Sequence, residues 1–258
     1  MADVSWHAHG AHHDQPAAAG QIAPMSILLA TLTLLGVTLL EPPSHHVQGI
    51  DVEGATLWVT SVDRATRAGF LGRYDLATGR RLAQVAVHDG ERFHPGGIQV
   101  DGAFIWVPVA EYRRASSTWV QKRDKVTLAL VAQFEVADHI GCLAVADGVV
   151  WGGNWDSTHL YRWQHDGTPI DKRANPTSTR YQDIKIADGQ LVASGLGGPD
   201  KGAIDWVDPS TLSVSRRVVT GATDRGVPYT NEGMSVRGGV LYLLPEDDPS
   251  RLFRYQLP

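Results

Sequence analysis

His94-Pro95-Gly96-Gly97-Ile98-Gln99-Val100-Asp101-Gly102-Ala103-Phe104-Ile105-Trp106-Val107 decides the fold, because its grammar returns four more times along the chain. A polar or His-containing lead runs into a Gly and a short alternating strand; a Gly turn, often preceded by Asp, then reverses the chain into a second apolar strand. The other leads are His45-His46-Val47-Gln48-Gly49-Ile50-Asp51-Val52, His139-Ile140-Gly141-Cys142-Leu143-Ala144-Val145, Tyr181-Gln182-Asp183-Ile184-Lys185-Ile186 and Asn231-Glu232-Gly233-Met234-Ser235-Val236. Their apolar anchors stand at positions 50, 98, 143, 184 and 234, so the spacings are 48, 45, 41 and 50. A period of about 40 to 50 residues is that of a propeller blade. The spacing predicts an all-β, five-bladed β-propeller with blades starting near 45, 93, 138, 180 and 230. The widest gap, from Ile184 to Met234, is too short to hide a sixth repeat.

Third strands recur at Leu71–Asp75, Trp119–Arg123, Leu160–Trp163, Ile204–Asp208 and Leu252–Tyr255, and fourth strands at Arg81–Val87, Leu130–Val136 and Val214–Thr220. The fifth repeat runs out at Pro258 after its third strand, whereas an apolar run from Ser26 to Leu40 precedes the first repeat. Its 15 residues fall short of the roughly 20 that a membrane helix needs. Residues 1–25 carry no Lys or Arg, so the run also lacks the basic lead of a signal peptide. An open sheet edge invites pairing, so a strand over about 31–40 is expected to complete the last blade and close the ring. That gives a His-containing disordered tail over residues 1–25 and a single propeller domain over 26–258.

The formal charge of −5, from 23 Lys and Arg against 28 Asp and Glu, leaves no basic field for a phosphate backbone, and nucleic acid is excluded as a partner. The single cysteine, Cys142, rules out an intrachain disulfide and a Cys-based metal site. The chain reads as a soluble protein, cytoplasmic in preference to secreted, with no membrane span and a small molecule as its partner. Oligomeric state is not legible.

In a propeller the start of each first strand and the end of each second strand reach the same face. That convergence places His45, Gln48, Tyr112, Asn154, Trp155, Gln182, Asn231 and Glu246 where a small polar ligand would bind. His46, His94 and His139 share one column of the repeat and could supply three nitrogens to a divalent metal such as zinc, calcium or iron. Glu232, Glu111 or Asp183 could then act as the catalytic acid or base. The alternatives are ligand binding without metal, and histidines that only bond their neighbours across the channel. Trp58, Trp106, Trp151, Trp163 and Trp206 recur on equivalent strands and read as packing between blades. Neither a phosphate loop nor a nucleophile elbow is present.

His-His-x-Gln-Gly at 45–49, His-Pro-Gly-Gly at 94–97 with Trp-Val-Pro-Val-Ala-Glu-Tyr at 106–112, Asp-His-Ile-Gly at 138–141, Tyr-Gln-Asp at 181–183 and Pro-Glu-Asp-Asp at 245–248 resemble the motifs of a family of bacterial and fungal propeller-like proteins of unknown function. The likeness covers about Leu34 to Pro258 and implies a propeller without implying a reaction. Val47-Gln48-Gly49-Ile50 and Asn231-Glu232-Gly233-Met234 are also similar, more loosely, to the leads of five-bladed glutaminyl cyclotransferases. The histidines of the second and third leads depart from that pattern. A small-molecule hydrolase or lyase is therefore the first expectation, a cyclotransferase-like enzyme or a non-catalytic binding propeller the alternative.

Overall fold

In the computed structural model, which describes residues 32–198 and 201–257, the repeats fold into five antiparallel sheets. β1 (Thr33–Leu39) opens the described chain. Blade one is β2 (His46–Glu53), β3 (Thr56–Asp63), β4 (Ala68–Asp75) and β5 (Arg81–Ala86). Blade two is β6 (Arg92–Pro95), β7 (Gln99–Asp101), β8 (Phe104–Glu111), β9 (Thr118–Asp124) and β10 (Leu130–Val136). Blade three is β11 (Ile140–Ala146), β12 (Val149–Asn154), β13 (His159–Gln164) and β14 (Pro169–Ala174), the last a fourth strand that sequence reading did not find. Blade four is β15 (Arg180–Ala187), β16 (Gln190–Gly198), β17 (Lys201–Val207) and β18 (Val214–Thr220). Blade five is β19 (Glu232–Arg237), β20 (Val240–Pro245) and β21 (Arg251–Gln256), completed on its outer edge by β1. β1 pairs antiparallel with β21 from Thr33 opposite Gln256 to Leu39 opposite Arg251. The ring thus closes as a five-bladed β-propeller. The expected tail over 1–25, and residues 26–31 of the apolar run, lie outside the described residues.

The core is divided into five apolar clusters, each between two neighbouring blades. Trp58, Trp106, Trp151, Trp163 and Trp206 all lie buried in these clusters or against them, as packing between blades requires. No helix among the described residues is long and apolar enough to cross a membrane.

The lead glycines of blades one and two are explained at the axis, where the innermost strands of different blades approach one another. A Cβ on Gly49 would stand 2.4 Å from Gly97 Cα, and one on Gly96 would stand 2.1 Å from the Gly141 oxygen. At Gly96-Gly97-Ile98 the first strand of blade two also leaves its own hairpin. The Gly97 N–H donates to the Gly141 carbonyl (2.9 Å) and the Leu143 N–H donates to that of Gly97 (3.0 Å), so the unbroken strand expected from 94 to 100 is divided into β6 and β7. Gly96→Ala should cost about 1–3 kcal/mol by overpacking. Urea unfolding measures this; an unchanged midpoint would show that the innermost strands part without penalty.

Three side chains staple non-neighbouring strands below the channel mouth. Asp51 accepts from Val100 N (2.7 Å) in blade two and from Ser235 Oγ (2.7 Å) in blade five. Gln99 accepts from Val145 N (3.1 Å) and Ile186 N (2.9 Å) in blades three and four. Asp183 of blade four accepts from Ile50 N and Met234 N, both at 3.1 Å, in blades one and five. The channel is therefore a cup with a polar floor.

Candidate functional site

One device recurs at the rim of the cup. In blades one, three and four the register between the first two strands slips beside Gln48, Gly141 and Gln182, and all three residues line the cavity. A bulge re-aims the residue that it frees. Blade five keeps its register there and instead holds Glu232 at φ +105°, outside the conformations that L-residues adopt easily. Strained backbone at a cavity wall persists because the surroundings over-determine it.

The cavity so formed measures about 230 Å³, small among ligand sites. It is lined by His46, Gln48, Arg64, His94, Tyr112, His139, Gly141, Asn154, Trp155, Asp156, Tyr181, Gln182, Asn231, Glu232 and Glu246. Tyr112 follows β8, Trp155 and Asp156 sit in a short 3-10 turn after β12, and Glu246 follows β20, so the ends of second strands supply the walls.

His94 and His139 form a chain whose protons are fixed by its far end. His139 Nδ1 lies 2.9 Å from the Arg113 carbonyl oxygen, which can only accept, so the ring proton is on Nδ1. His139 Nε2 is then an acceptor, and His94 Nδ1, 3.2 Å away, must donate to it. His94 Nε2 is left with its lone pair and with no hydrogen-bond partner among the described residues. Tyr112 packs edge-on against His94 at 4.2 Å and Trp155 against His139 at 4.5 Å, holding both rings in place.

Burial disfavours the charged form of both imidazoles: it moves His139 down to about 4 and, with the neighbouring His139, His46 and Arg64, moves His94 well below the ordinary value. Between the ordinary value of 6.5 and about 4, the unfolded chain therefore binds protons that the folded chain refuses. The stability associated with the neutral pair is fully present above 6.5 and is lost as pH falls through that window, by up to about 1.4 kcal/mol per pH unit for each histidine. Urea unfolding across this range should show a shallower acid limb in His139→Gln than in the unsubstituted chain; parallel limbs would contradict a neutral, buried His139.

Glu232 is buried, and no group among the described residues donates a hydrogen bond to its carboxyl. Desolvation, with the charges of Glu246 and Asp183, pushes its pKa well above the carboxylate range, while Arg64 works against the shift. His46 contacts the Glu246 carboxylate through Nδ1 and accepts from the Arg64 guanidinium through Nε2 at 2.5 Å. His46, Glu232 and Glu246 offer ligand atoms that lie within 4.8 Å of one another, a group that could hold a metal ion.

Of the residues expected from sequence, His46, Gln48, His94, Tyr112, His139, Asn154, Trp155, Gln182, Asn231, Glu232 and Glu246 meet in this cavity. Glu111, His45 and Asp183 do not. Glu111 turns outward to Arg113 and Ser117. His45 is one residue out of register, stacked on Phe70 at 5.3 Å beside an adjoining cavity. Asp183 lies in the floor, paired with Lys185 and occupied by backbone N–H groups. The expected three-histidine column divides, with His94 and His139 spent on one another and His46 grouped with the two glutamates. Arg64 is the lining residue that sequence reading missed, since it follows β3 in a turn whose sequence is ordinary. Asp247 of the Pro-Glu-Asp-Asp motif is structural, held by Arg225 and Arg251.

A family model for a family of unknown function, DUF6454, matches residues 61–190. No curated protein matches the chain. Among solved structures, a glutaminyl cyclase from Myxococcus xanthus superposes with a TM-score of 0.66 at 14% identity, covering 87% of this chain and 95% of that one. A chain of a mitotic checkpoint complex superposes with a TM-score of 0.53 at 11% identity over 98% of this chain and 99% of that one. At such identities the likeness is one of fold.

Proposed function

We propose, on the premise that the chain belongs to the DUF6454 family, that it is an enzyme acting on a small polar molecule at the channel mouth, a hydrolase or lyase in which Glu232 is the acid and His94 the base. The observation that carries this reading is the Glu232 carboxyl: buried in the cavity wall, without a donor, on backbone at φ +105°. A buried carboxyl left so is costly unless it keeps a proton or receives one from a ligand. Across the cavity the His139 chain leaves His94 Nε2 able only to accept. A donor and an acceptor lining one cavity is the arrangement general acid–base catalysis needs. Gln48, Asn154, Gln182 and Asn231 would orient the substrate through their amides, and Tyr112 and Trp155 would flank it.

A divalent ion at His46, Glu232 and Glu246 is a second reading, supported by the closeness of their ligand atoms. Such an ion would activate a bound water. Against it stands Arg64, a resident cation on one His46 nitrogen, while Glu246 engages the other. The fold likeness to a glutaminyl cyclase suggests one further substrate for the test, a peptide beginning with glutamine, where the amine attacks the side-chain amide and ammonia leaves. That reaction also asks for an acid and a base.

The test is turnover across a panel of esters, amides, hydroxy acids and a glutamine-initiated peptide, with metal analysis of the purified protein. One class should be turned over, and Glu232→Gln should lower kcat by about 10²–10⁴-fold without abolishing binding. Ligand binding without turnover, or turnover that survives both Glu232→Gln and His94→Ala, would overturn the reading in favour of a binding propeller. A stoichiometric divalent ion lost in His46→Ala would replace it with the metal reading.

A further inference from the structure

Arg64 stands in the rim turn between β3 and β4, and it differs from the other cations near the mouth. Arg113 is neutralised by Glu111 and Arg114 by Asp156. Arg64 lines the cavity and forms no ion pair with a carboxylate among the described residues. Its guanidinium carbon lies 5.4 Å from the centroid of the Tyr112 ring, and its Nη2 donates to His46 Nε2. Glu246, in the same cavity, is engaged by His46, and no ion pair joins it to Arg64 among the described residues.

A guanidinium has five N–H donors in one plane, and the contacts to His46 and Tyr112 leave donors of Arg64 over for a ligand. Such a planar fork is complementary to a planar, two-oxygen anion. Two glutamates share the cavity, Glu246 engaged by His46 and Glu232 with its pKa pushed up by burial, while the amides of Gln48, Asn231 and Gln182 add donors and acceptors without charge. We propose that Arg64 is the anchor for a carboxylate group of the substrate, and that the cavity takes small, oxygen-rich carboxylic acids. Docking would draw the guanidinium from His46 to the ligand while it stays beside the Tyr112 ring. The inference rests on the reading of this cavity as a small-molecule site and deepens it by naming the class of ligand.

Calorimetric titration tests it without any knowledge of the reaction. The probes are acetate, L-lactate, L-malate and citrate, set against acetamide, lactamide, glycerol and inorganic phosphate. At least one carboxylate should bind, its uncharged counterparts should not, and Arg64→Gln should weaken the carboxylate by about tenfold or more. Arg64→Lys, which keeps the charge and loses the fork, should recover only part of that affinity. No carboxylate binding, or equal affinity in Arg64→Gln, overturns the proposal. Preferential, Arg64-dependent binding of phosphate would overturn the planar-carboxylate assignment. Circular dichroism of Arg64→Gln, a rim residue, controls for folding. The outcomes separate from those of the catalytic reading: Arg64-dependent carboxylate binding without Glu232-dependent turnover removes the acid–base mechanism alone. Glu232-dependent turnover without such binding removes this inference alone.

Discussion

Asp183→Ala should destabilise the protein by about 3–5 kcal/mol, a large fraction of the roughly 5–15 kcal/mol that holds a typical domain folded. Lys185 is almost wholly buried, and its ammonium is held by the Asp183 carboxylate and the Ile184 carbonyl. Removing the carboxylate leaves a buried cation with no counter-charge, and it also orphans the N–H groups of Ile50 and Met234, each worth about 1–3 kcal/mol when left unpaired. Those N–H groups belong to blades one and five, so the loss opens the ring at its centre as well as in blade four. Burial pushes the Asp183 pKa up to about 7, and the lysine and the backbone donors hold it down. The charged form thus carries a desolvation cost that these partners only partly offset. Asp183→Asn with Lys185→Met should recover much of the loss, since it keeps an acceptor oxygen for the backbone and removes the stranded cation. Chemical unfolding of the single and double variants checks this; a single variant as stable as the parent would show that the floor does not bind the blades together.

Deleting residues 1–41 should leave no cooperatively folded, soluble propeller. The β21 edge would lose its partner from Arg251 to Gln256, and an open strand edge pairs with other chains. Leu34, Leu35, Val37 and Leu39 are each about half exposed, so burial of the apolar run contributes less than its composition suggests. Pairing contributes more. Just beyond β1, Leu40 is buried between blades five and one, and its N–H donates to the Ser250 carbonyl (3.0 Å), while the Glu41 N–H donates to that of Gly79 in blade one (2.9 Å). Restoring the segment as a separate peptide of residues 32–41 should recover a melting transition. A deleted chain that stays soluble and melts unchanged would contradict closure by β1.

The blades and their closure were legible because they rest on a repeat, and a repeat survives local ambiguity. The Gly and Asp of each hairpin, the alternating apolar residues and the missing fourth strand all pointed to one topology. The column of first-strand starts was equally visible, which is why His46, His94, His139, Gln48, Gln182 and Glu232 were found together. What sequence could not show is the rotation of each side chain within its column. The slips beside Gln48 and Gln182 decide that these residues enter the cup and that Asp183 turns into the floor, and nothing in their identities announces a slip. A histidine column likewise does not reveal that two of its members bond to each other. Arg64 escaped notice because its turn carries no repeat signature.

The central claim, that His94 is held as a neutral base by His139 and the Arg113 carbonyl, is tested most directly by ¹⁵N NMR of the imidazoles through a pH titration. Both rings should remain neutral, with the proton on Nδ1, at least to about pH 5. A ring that titrates near the ordinary value of 6.5, or a His94 that carries its proton on Nε2, would contradict it.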